Sequence, residues 1–377
     1  MAGIYLHIPF CKQACHYCDF HFSTNLEKKS AMIAALQTEL ELRKQEFEGE
    51  TVETIYFGGG TPSVLEIEEI AAIVETIHEY YTVVDHPEVT LEANPDDLST
   101  AKILGLSSSS INRLSIGIQS FDAEDLILMN RVHLASEAIE CVGAAAEVFD
   151  NISIDLIYGI PNMTNDRWKR NIDRALSFNI PHISSYALTV EPKTALAAFI
   201  KKGTVPSLDD SAAQEHFHIL IDTLEAAGYV HYEISNFGRP GFFSRNNTAY
   251  WQGKKYMGIG PSAHSYDGFR RGWNINNNPK YLKALQARLL PMEIEVLSKR
   301  DRYNEYVMTG LRTIWGVSLD RVRSEFGPKY SEYLLRQVEP HLRNHLLYLD
   351  GDTLLISKKG KFLADGIASD LFMVNLT

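Results

Sequence analysis

The first 195 residues alternate between short, nearly continuous apolar runs and longer stretches in which apolar residues recur every three or four positions. Short apolar runs that end at Gly, Pro or Asn are typical of buried strands, and the longer period is typical of amphipathic helices. The pattern predicts six strands, at 3–8, 52–60, 88–95, 112–121, 151–161 and 182–192. It predicts helices between them at 26–48, 66–81, 122–130, 135–148 and 165–178.

This alternation of strands and helices indicates βαβ units and therefore an α/β fold with a parallel sheet. Six units fall short of a complete eight-fold barrel, so we predict a partial (βα)6 barrel over residues 1–195. In such folds the binding and reacting groups lie at the carboxyl ends of the strands. The unusual sequences of this region, a cluster of cysteines, a run of glycines and several polar residues, follow those ends.

The remainder of the chain divides into two parts of different character. Residues 196–278 are interpreted as an extension of the barrel, and residues 279–377 as a small α+β domain. The elements predicted in these two parts are a helix at 209–227, a strand at 228–238, a loop from there to 278, helices at 301–314 and 332–345, and a hairpin at 346–357.

Composition limits the classes of function. The 377 residues carry a formal charge of −12, which argues against general nucleic-acid binding because that needs a basic surface. No apolar run approaches the ~18–20 residues that a membrane-spanning helix needs, so no transmembrane segment is expected. Four cysteines are too few for a disulfide framework, and their use predicts a reducing, cytoplasmic location.

Three of the four cysteines, Cys11, Cys15 and Cys18, follow one another in the spacing C-x3-C-x2-C. Four interpretations are open: structural zinc, a disulfide, a buried apolar cluster or an iron–sulfur cluster. Zinc would need a fourth ligand, for which His16 or His21 is available, but the second cysteine pair of common zinc sites is absent. A reducing compartment disfavours a disulfide, and the polar residues between the thiols disfavour an apolar cluster.

A [4Fe–4S] cluster accounts best for the cysteine spacing, because thiolates are its usual ligands and a short loop can wrap around it. Three thiolates would hold three irons and leave the fourth iron open to a small molecule. The remaining cysteine, Cys141, lies in a helical pattern, where an ordinary core cysteine is the expected role.

A second candidate site is FGGGTP, residues 57–62, at the end of the second predicted strand. Glycines there would let the backbone approach a ligand closely, because no Cβ intervenes. The sequence contains neither G-x4-G-K-[ST] nor a G-x-G-x-x-G that opens a helix, so a nucleotide-phosphate loop is a weak alternative. A plain glycine turn remains open.

Together these motifs resemble a known group of proteins. The cysteine spacing, with Phe20 two residues after the last cysteine, resembles the radical S-adenosylmethionine superfamily. Six segments are similar, in order, to the oxygen-independent coproporphyrinogen III oxidase family and its HemW-like heme-chaperone branch: IYLHIPFCKQACHYCDF, IYFGGGTPSVL, VTLEANPDDL, RLSIGIQSF, MNRVH and SIDLIYGIP. The resemblance covers essentially the whole chain. It implies that S-adenosylmethionine binds the open iron and is cleaved by an electron from the cluster to a 5′-deoxyadenosyl radical.

The resemblance also assigns cofactor-binding residues. Glu92 would accept hydrogen bonds from the ribose hydroxyls, a task that suits an ionised carboxylate. Arg131 could instead be a surface ion-pair partner, whereas Asp155 would be a costly buried carboxylate unless it is paired or functional. The residues that the resemblance implies for cofactor binding are Tyr5, Tyr17, Gly59, Gly60, Thr61, Glu92, Gln119, Arg131 and Asp155.

Two functions are compatible with this family: oxidative decarboxylation of coproporphyrinogen III to protoporphyrinogen IX, and binding of heme for delivery to an acceptor protein. A radical enzyme acting on another substrate is a third, because the barrel motifs do not set the substrate. Asp19-Phe20 stands where the enzyme branch tends to have a further cysteine, and the chain begins directly at its first strand, without that branch's extension. Both features favour heme delivery, with an electron donor and a heme acceptor that the sequence does not identify.

A motif of the chaperone branch, H-N-x-x-Y-W, is matched by Asn247, Tyr250 and Trp251, which implies that these residues bind heme. Its histidine position is occupied by Asn246, and an amide is a poor iron ligand compared with neutral imidazole. An aromatic-rich turn that packs on the barrel is the structural alternative. The histidines that could substitute as ligands are His231 and His264.

Overall fold

The computed structural model of the chain describes residues 2–374. The predicted domain ends at residues 1 and 375–377 lie outside this described range. The strands are β1 (Ala2–Ile8), β2 (Val52–Gly59), β3 (Val83–Ala93), β4 (Arg113–Gln119), β5 (Ile152–Tyr158), β6 (His182–Ala187), β7 (Val230–Glu233), β8 (Asn236–Gly238), β9 (Lys255–Ile259), β10 (His264–Tyr266), β11 (Arg270–Asn274), β12 (Met292–Val296), β13 (Val317–Ser318), β14 (Leu347–Asp350) and β15 (Thr353–Ile356). The helices are α1 (Lys29–Leu42), α2 (Ile67–Tyr80), α3 (Thr100–Ser107), α4 (Ala123–Leu128), α5 (Ala135–Ala146), α6 (Asn165–Ser177), α7 (Ala195–Lys201), α8 (Asp210–Ala226), α9 (Arg245–Trp251), α10 (Asn278–Gln286), α11 (Lys299–Leu311), α12 (Leu319–Arg321), α13 (Pro328–Arg343) and α14 (Ala364–Asp370).

One large sheet carries the fold. Its strand order is β12-β11-β10-β9-β1-β2-β3-β4-β5-β6-β8-β7, and β1 to β6 are parallel to their neighbours in this series. At least one helix follows each of these six strands, which confirms the predicted α/β class and its six βα units. β9 adds to the open side of β1 in parallel, and the strands beyond β9 and beyond β6 are antiparallel.

The parallel strands are apolar because both of their faces are covered. In β1 and in β5, every residue is buried except the central one, which is Tyr5 in β1 and Asp155 in β5. Alternate residues of a strand point to opposite faces, so one partly exposed residue in a buried strand marks a local opening on one face of the sheet. Both exceptions are residues that the sequence analysis predicted for cofactor binding.

Two predictions about residues 228–278 are wrong. The predicted strand at 228–238 is a hairpin, in which β7 and β8 pair antiparallel across a turn at residues 234–235. The predicted loop that follows contains α9, β9, β10 and β11. β9 is a strand because its backbone pairs with β1, with Lys255 opposite Ala2, and the local sequence carries little sign of such a distant partner. The short helices α3, α7 and α10 and the strand β12 were likewise not predicted.

The last part of the chain forms a core of its own. β13, β15 and β14 make a three-stranded antiparallel sheet, and the predicted hairpin at 346–357 is confirmed as β14 and β15. Tyr303, Val307 and Leu334 are fully buried in a cluster separate from the main core. The predicted boundaries at 195 and 278 remain predictions. None of the helices within residues 2–374 is long and apolar enough to cross a bilayer.

A buried ion pair attaches the antiparallel strands β9 to β11 to the parallel core. Glu39 and Arg43 on α1 are both buried, with 2.9 Å between Oε1 and Nη1. Arg43 also donates to the Gly258 carbonyl at 2.7 Å and to the Ser265 hydroxyl at 3.0 Å. Glu39 accepts from the Tyr281 hydroxyl at 2.5 Å. Because both charges are paired and hydrogen-bonded, the network holds these strands against α1 without leaving a lone buried charge.

We expect Glu39→Ala to lower the free energy of unfolding by about 3–5 kcal/mol, because it leaves the buried Arg43 with only the partly exposed Glu46 as counter-charge and the buried Tyr281 hydroxyl without its acceptor. Glu41→Ala, on the same helix, removes an exposed ion pair with Arg288 and should change stability little. Urea titration followed by circular dichroism measures both variants. Equal unfolding midpoints for the two variants would contradict a structural role for the buried pair.

Candidate functional site

The predicted cluster ligands lie in the loop after β1, at the carboxyl edge of the parallel sheet. Cys11, Cys15 and Cys18 are all partly exposed there, whereas Cys141 on α5 is buried in the main core, as predicted. The Cys11 amide donates to the Ser23 carbonyl at 3.1 Å, so the two ends of the loop are tied together. The loop therefore presents three cysteine thiols at this edge of the sheet. The fourth cysteine, Cys141, packs in the core.

The segment MNRVH, which the sequence analysis noted only as a point of resemblance, supports the cysteine loop. The Asn130 side chain donates to the Ala14 carbonyl at 2.8 Å, and the Gln13 side chain donates to the Asn130 carbonyl at 2.9 Å. The ring Nδ1 of His16 lies 2.8 Å from the Leu128 carbonyl oxygen. His16 is thus held through Nδ1 against the residue that precedes this segment.

A chain of hydrogen bonds connects two of the thiols. The Thr61 hydroxyl donates to Cys11 Sγ at 3.3 Å, and the Asn94 side-chain amide donates to Thr61 Oγ1 at 3.3 Å. Arg131 donates from Nη2 to Asn94 Oδ1 at 2.7 Å and from Nη1 to Cys15 Sγ at 3.3 Å. Arg131 is therefore part of the cysteine site, and the alternative of a surface ion pair is wrong.

The donor set fits an iron–sulfur cluster. Burial raises the pKa of Cys11 to about 11 and also raises the pKa of Cys18, so their thiolates need a compensating positive charge, which bound iron supplies. Within residues 2–374, no three His, Cys, Asp or Glu side chains converge on a position for one metal ion. In a [4Fe–4S] cluster each thiolate binds a different iron, so three thiols in one short loop suit that chemistry.

The glycine run at the end of β2 packs against the cysteine loop. A Cβ on Gly60 would lie 2.6 Å from the Phe10 carbonyl oxygen, and a Cβ on Gly59 would lie 2.6 Å from the His7 ring. Gly59 also has φ +107°, which other residues rarely adopt. Its amide donates to the Glu92 carboxylate at 3.2 Å. The protein's own packing therefore requires glycine here, in addition to any ligand.

Two buried carboxylates face the open side of the sheet. Glu92 on β3 accepts from the Tyr56 hydroxyl at 2.7 Å, and burial raises its pKa to about 7. Asp155 on β5 has a pKa raised to about 6, also mainly by burial, and its Oδ1 lies 3.4 Å from the Ser115 hydroxyl. Tyr5 stacks on Tyr56 with 6.0 Å between ring centroids. Neighbouring carboxylates whose pKa values are raised by burial are typical of functional sites, where a bound ligand can compensate for the cost of burying them.

The remaining predicted cofactor residues lie beside Arg131. Gln119 ends β4 with φ +68°, a left-handed conformation that is uncommon for a residue with a side chain. A Cβ on Gly117 would lie 2.8 Å from Gln119 Nε2 and 3.5 Å from Arg131 Nη2, so these two side chains share one small space. Tyr17 packs against the main core, and burial raises its pKa.

A cavity of about 920 Å³ opens on this side of the sheet. It joins the parallel strands to α9, and so brings together two groups of predicted residues that are far apart in the sequence. The predicted residues on its wall are Tyr5, Gly59 and Glu92 from the strands, and Asn247, Tyr250 and Trp251 from the heme motif.

Helix α9, which carries the heme motif, is fixed at its first residues. The amides of Arg245 and Asn246 donate to the Glu88 carboxylate at 3.0 and 3.1 Å. The Thr54 hydroxyl donates to the Asn246 side-chain oxygen at 3.2 Å. Asn246 is therefore held by the sheet at the position where the motif of the family has histidine.

The two aromatic residues of the motif, Tyr250 and Trp251, are partly exposed. None of the residues of α9 is fully buried, and the rings of Tyr250 and Trp251 are nearly perpendicular with 5.1 Å between centroids. The Arg312 guanidinium, at the end of α11, lies 5.0 Å from the Trp251 ring centroid and donates to Glu233 at 3.0 Å. Arg312 also pairs with Asp365 at 2.6 Å, so the C-terminal part of the chain contacts the cavity wall.

The two histidines considered as substitute ligands differ sharply. His231 is buried, with Nε2 at 3.0 Å from the Ile234 carbonyl oxygen and Nδ1 at 2.8 Å from Lys361 Nζ. Its ring stacks on Phe237 at 4.1 Å, and burial lowers its pKa to about 3. Both ring nitrogens of His231 are thus engaged inside the protein, whereas His264 lines the cavity.

Sequence reasoning assigned no role in the site to three residues that the structure places there. Asn94 completes the hydrogen-bond chain between the thiols. Its position before a proline at the end of a strand is the sequence feature that could have indicated a role in the site. The Phe20 side chain is 69% exposed and, with Lys254, lines the cavity. No local pattern marks Lys254, because its position on the wall depends on the pairing of β9 with β1.

Two family models match the chain. Residues 5–175 match the model of the radical SAM superfamily, and residues 297–363 match the HemN C-terminal domain. The first match contains the cysteine loop and the carboxyl ends of the five strands β1 to β5, and the second contains most of the separate C-terminal core.

Relatives match over nearly the full length. The chain is 34% identical to the heme chaperone HemW of Mycobacterium tuberculosis, over 98% of this chain and 94% of that protein. It is 35% identical to the heme chaperone HemW of Lactococcus lactis, over 96% of this chain and 97% of that protein. Among solved structures, coproporphyrinogen III oxidase (HemN) from Escherichia coli superposes with a TM-score of 0.85, over 99% of this chain and 90% of that chain. The two chains are 23% identical, and this structural similarity shows that they share a fold.

We expect Glu92→Gln to remove a pH dependence of stability from the metal-free protein. The pKa of Glu92 is about 7 in the folded state and 4.5 is its ordinary value, so between these pH values the folded state holds a proton that the unfolded state has lost. Wild-type stability should therefore fall as pH rises through this range, by about 3 kcal/mol at most, since one pKa unit corresponds to ~1.4 kcal/mol.

Urea titrations at pH 5 and pH 8 measure this effect as the difference between wild type and Glu92→Gln. Glu68→Gln, an exposed change on α2, is the control and should follow wild type at both pH values. A Glu92→Gln variant that loses as much stability as wild type between pH 5 and pH 8 would be inconsistent with a buried carboxylate of raised pKa.

Proposed function

This chain belongs to the heme chaperone HemW family within the radical SAM superfamily, and we propose from that membership that it binds heme for delivery to an acceptor protein. The [4Fe–4S] cluster and S-adenosylmethionine are the cofactors of that superfamily. One observation carries the proposal of heme binding: a single cavity is lined both by three of the predicted cofactor residues, Tyr5, Gly59 and Glu92, and by the heme motif of α9.

Cys11, Cys15 and Cys18 are the proposed cluster ligands. When bound, the cluster supplies an electron to S-adenosylmethionine at the iron without a protein ligand. Arg131 and Thr61 donate hydrogen bonds to two of the sulfurs, which stabilises negative charge on the thiolates and fixes their positions. Such hydrogen bonds to sulfur are among the features by which a protein sets the reduction potential of a cluster.

The open side of the sheet next to the cysteine loop is the proposed site of S-adenosylmethionine. Glu92 offers carboxylate oxygens for ribose hydroxyls, and a raised pKa there reflects a group held ready without a cation. Asp155 and Gln119 offer further polar groups on neighbouring strands, and Tyr5 and Tyr17 exclude water from the space between. Gly59 and Gly60 lie next to the cysteine loop, and because both of their amides already donate within the protein, an amino group of the ligand would bind to their carbonyl oxygens.

The features of the outer cavity suit a porphyrin. Its volume of about 920 Å³ lies within the range of small-molecule sites. Tyr250 and Trp251 from α9 and Phe20 from the cysteine loop offer aromatic faces for a flat apolar ring. Lys254 lines the same cavity with its ammonium in no ion pair among the described residues, so it is available for a propionate. A carboxylate-bearing flat ring is therefore the ligand that these side chains match.

Heme delivery is favoured over the oxidase alternative. The relatives that match at 34% and 35% identity are named heme chaperones, whereas the likeness to the coproporphyrinogen III oxidase is one of fold. A reducing, cytoplasmic compartment is part of the proposal, because three cysteines available to iron must remain unoxidised. An electron donor and a heme acceptor complete it as partners.

For the cluster, we expect anaerobically reconstituted protein to carry about four irons per chain, the content of one [4Fe–4S] cluster. Cys11→Ala, Cys15→Ala and Cys18→Ala should each lose most of the iron, because each removes the ligand of one iron. Cys141→Ala, in the main core, is the matched control and should retain the wild-type iron content. Iron and sulfide analysis with absorption spectra measures all four, and full iron in Cys15→Ala would refute the assignment.

For heme, we expect wild-type protein to bind about one heme per chain and to form no protoporphyrinogen IX from coproporphyrinogen III under reducing conditions with S-adenosylmethionine. Trp251→Ala should weaken heme binding at least about fivefold, because an aromatic contact with the ligand is worth ~1 kcal/mol or more. Trp315→Ala, in the C-terminal part and off the cavity wall, is the control. Absorbance titration gives the affinities. Oxidase turnover, or a wild-type protein that binds no heme, would overturn the proposal.

A further inference from the structure

The cavity wall contains three histidines, and they are not equivalent. His7 lies 2.9 Å from the His21 carbonyl oxygen through Nε2, and its Nδ1 lies 3.3 Å from the Tyr5 hydroxyl. His21 lies 2.6 Å from the Asn278 side-chain oxygen through Nε2. His264 is exposed and lines the cavity, and its side chain has no hydrogen bond to any other residue within 2–374. It is therefore the cavity histidine whose two ring nitrogens are both available.

His264 also stands where two spaces meet. With Ser262 and Asn276 it lines both the cavity of about 920 Å³ and an adjoining pocket of about 510 Å³. Its ring lies 6.3 Å from the Trp273 ring, tilted by 35°, and Trp273 lies opposite it across the β10–β11 pair. The His264 imidazole therefore lines the same cavity as Tyr250 and Trp251, and a flat ligand bound there would have all three on its wall.

The backbone that carries His264 is fixed. The next residue, Ser265, accepts from Arg43 and from the Gly258 amide through its hydroxyl, both at 3.0 Å. A Cβ on Gly258 would collide with the His264 carbonyl oxygen, so β9 and β10 lie in close contact at this point. The buried Glu39–Arg43 pair thus fixes the position from which the imidazole extends. A ligand atom on a rigid strand suits metal binding, because its position is set before the metal arrives.

Asn246 cannot take this role well. Its side chain is an amide, and its oxygen already accepts from Thr54. We propose, on the basis of the proposed heme-binding function, that His264 is the axial ligand of the heme iron in this chain, in place of the histidine that the motif has at position 246. The neutral imidazole donates a nitrogen lone pair to iron, and no electron or proton is otherwise transferred in this step.

The test is a heme titration of anaerobically reconstituted protein, read by absorption and electron paramagnetic resonance spectra. Wild type should give the spectrum of histidine-ligated heme. His264→Gly should lose that spectrum and bind heme at least about tenfold more weakly, and added imidazole should restore the spectrum by filling the vacated space. His21→Ala and the exposed control His78→Ala should keep the wild-type spectrum. Far-ultraviolet circular dichroism and iron content establish that each variant is folded.

The outcomes separate this inference from the function on which it rests. Wild type that binds no heme overturns both. Wild type that binds heme, with an unchanged spectrum in His264→Gly, overturns the ligand assignment and leaves heme binding intact. Loss of the spectrum in His21→Ala with retention in His264→Gly assigns the iron to His21 and refutes His264. A His264→Gly spectrum that imidazole does not restore also counts against direct ligation, because a merely structural role would not be rescued by a free ligand.

Discussion

The site depends on how a short loop is held at the carboxyl edge of a parallel sheet. Thr61, Asn94 and Arg131 come from three different connections, and together they link the sulfurs of Cys11 and Cys15 by hydrogen bonds of 2.7 to 3.3 Å. Strand ends converge at this edge because the strands are parallel, so residues that are distant in sequence can meet there. Without that convergence, the loop would have no fixed geometry for three thiols.

The wall next to the loop shows the energetic cost of such a site. Glu92 and Asp155 form no ion pair within 4 Å among the described residues, and burial raises the pKa values of both although the charge of Arg113 acts in the opposite direction. A protein that needed only stability would place apolar side chains at these positions. The cost is offset elsewhere, by an apolar core on both faces of the sheet and by the paired Glu39–Arg43 charges. Polar groups that weaken the folded state are thus concentrated where a ligand can satisfy them.

The outer cavity exists because further elements are added beyond the six βα units. The parallel addition of β9 to β1 brings β10, β11 and α9 to the open side of the sheet, and Arg312 of the C-terminal part contacts Trp251. The proposed cofactor region is therefore built by the βα units, whereas the cavity proposed for heme is completed by the additions. This division explains how one radical SAM framework can support different substrates.

The sequence by itself determined the local chemistry and the repeating architecture. Cys11, Cys15 and Cys18 could be recognised because their spacing within one loop is itself the signal, and the six strands because continuous apolar runs reflect burial on both faces. It did not determine β9, the hairpin of β7 and β8, or the different fates of His231 and His264. The strand β9 exists through pairing with β1, and the fate of each histidine depends on neighbours such as Lys361 or Trp273. These features depend on contacts between segments that are distant in the sequence. The local pattern of apolar and polar residues does not determine the free energy of such contacts, so only the tertiary structure decided them.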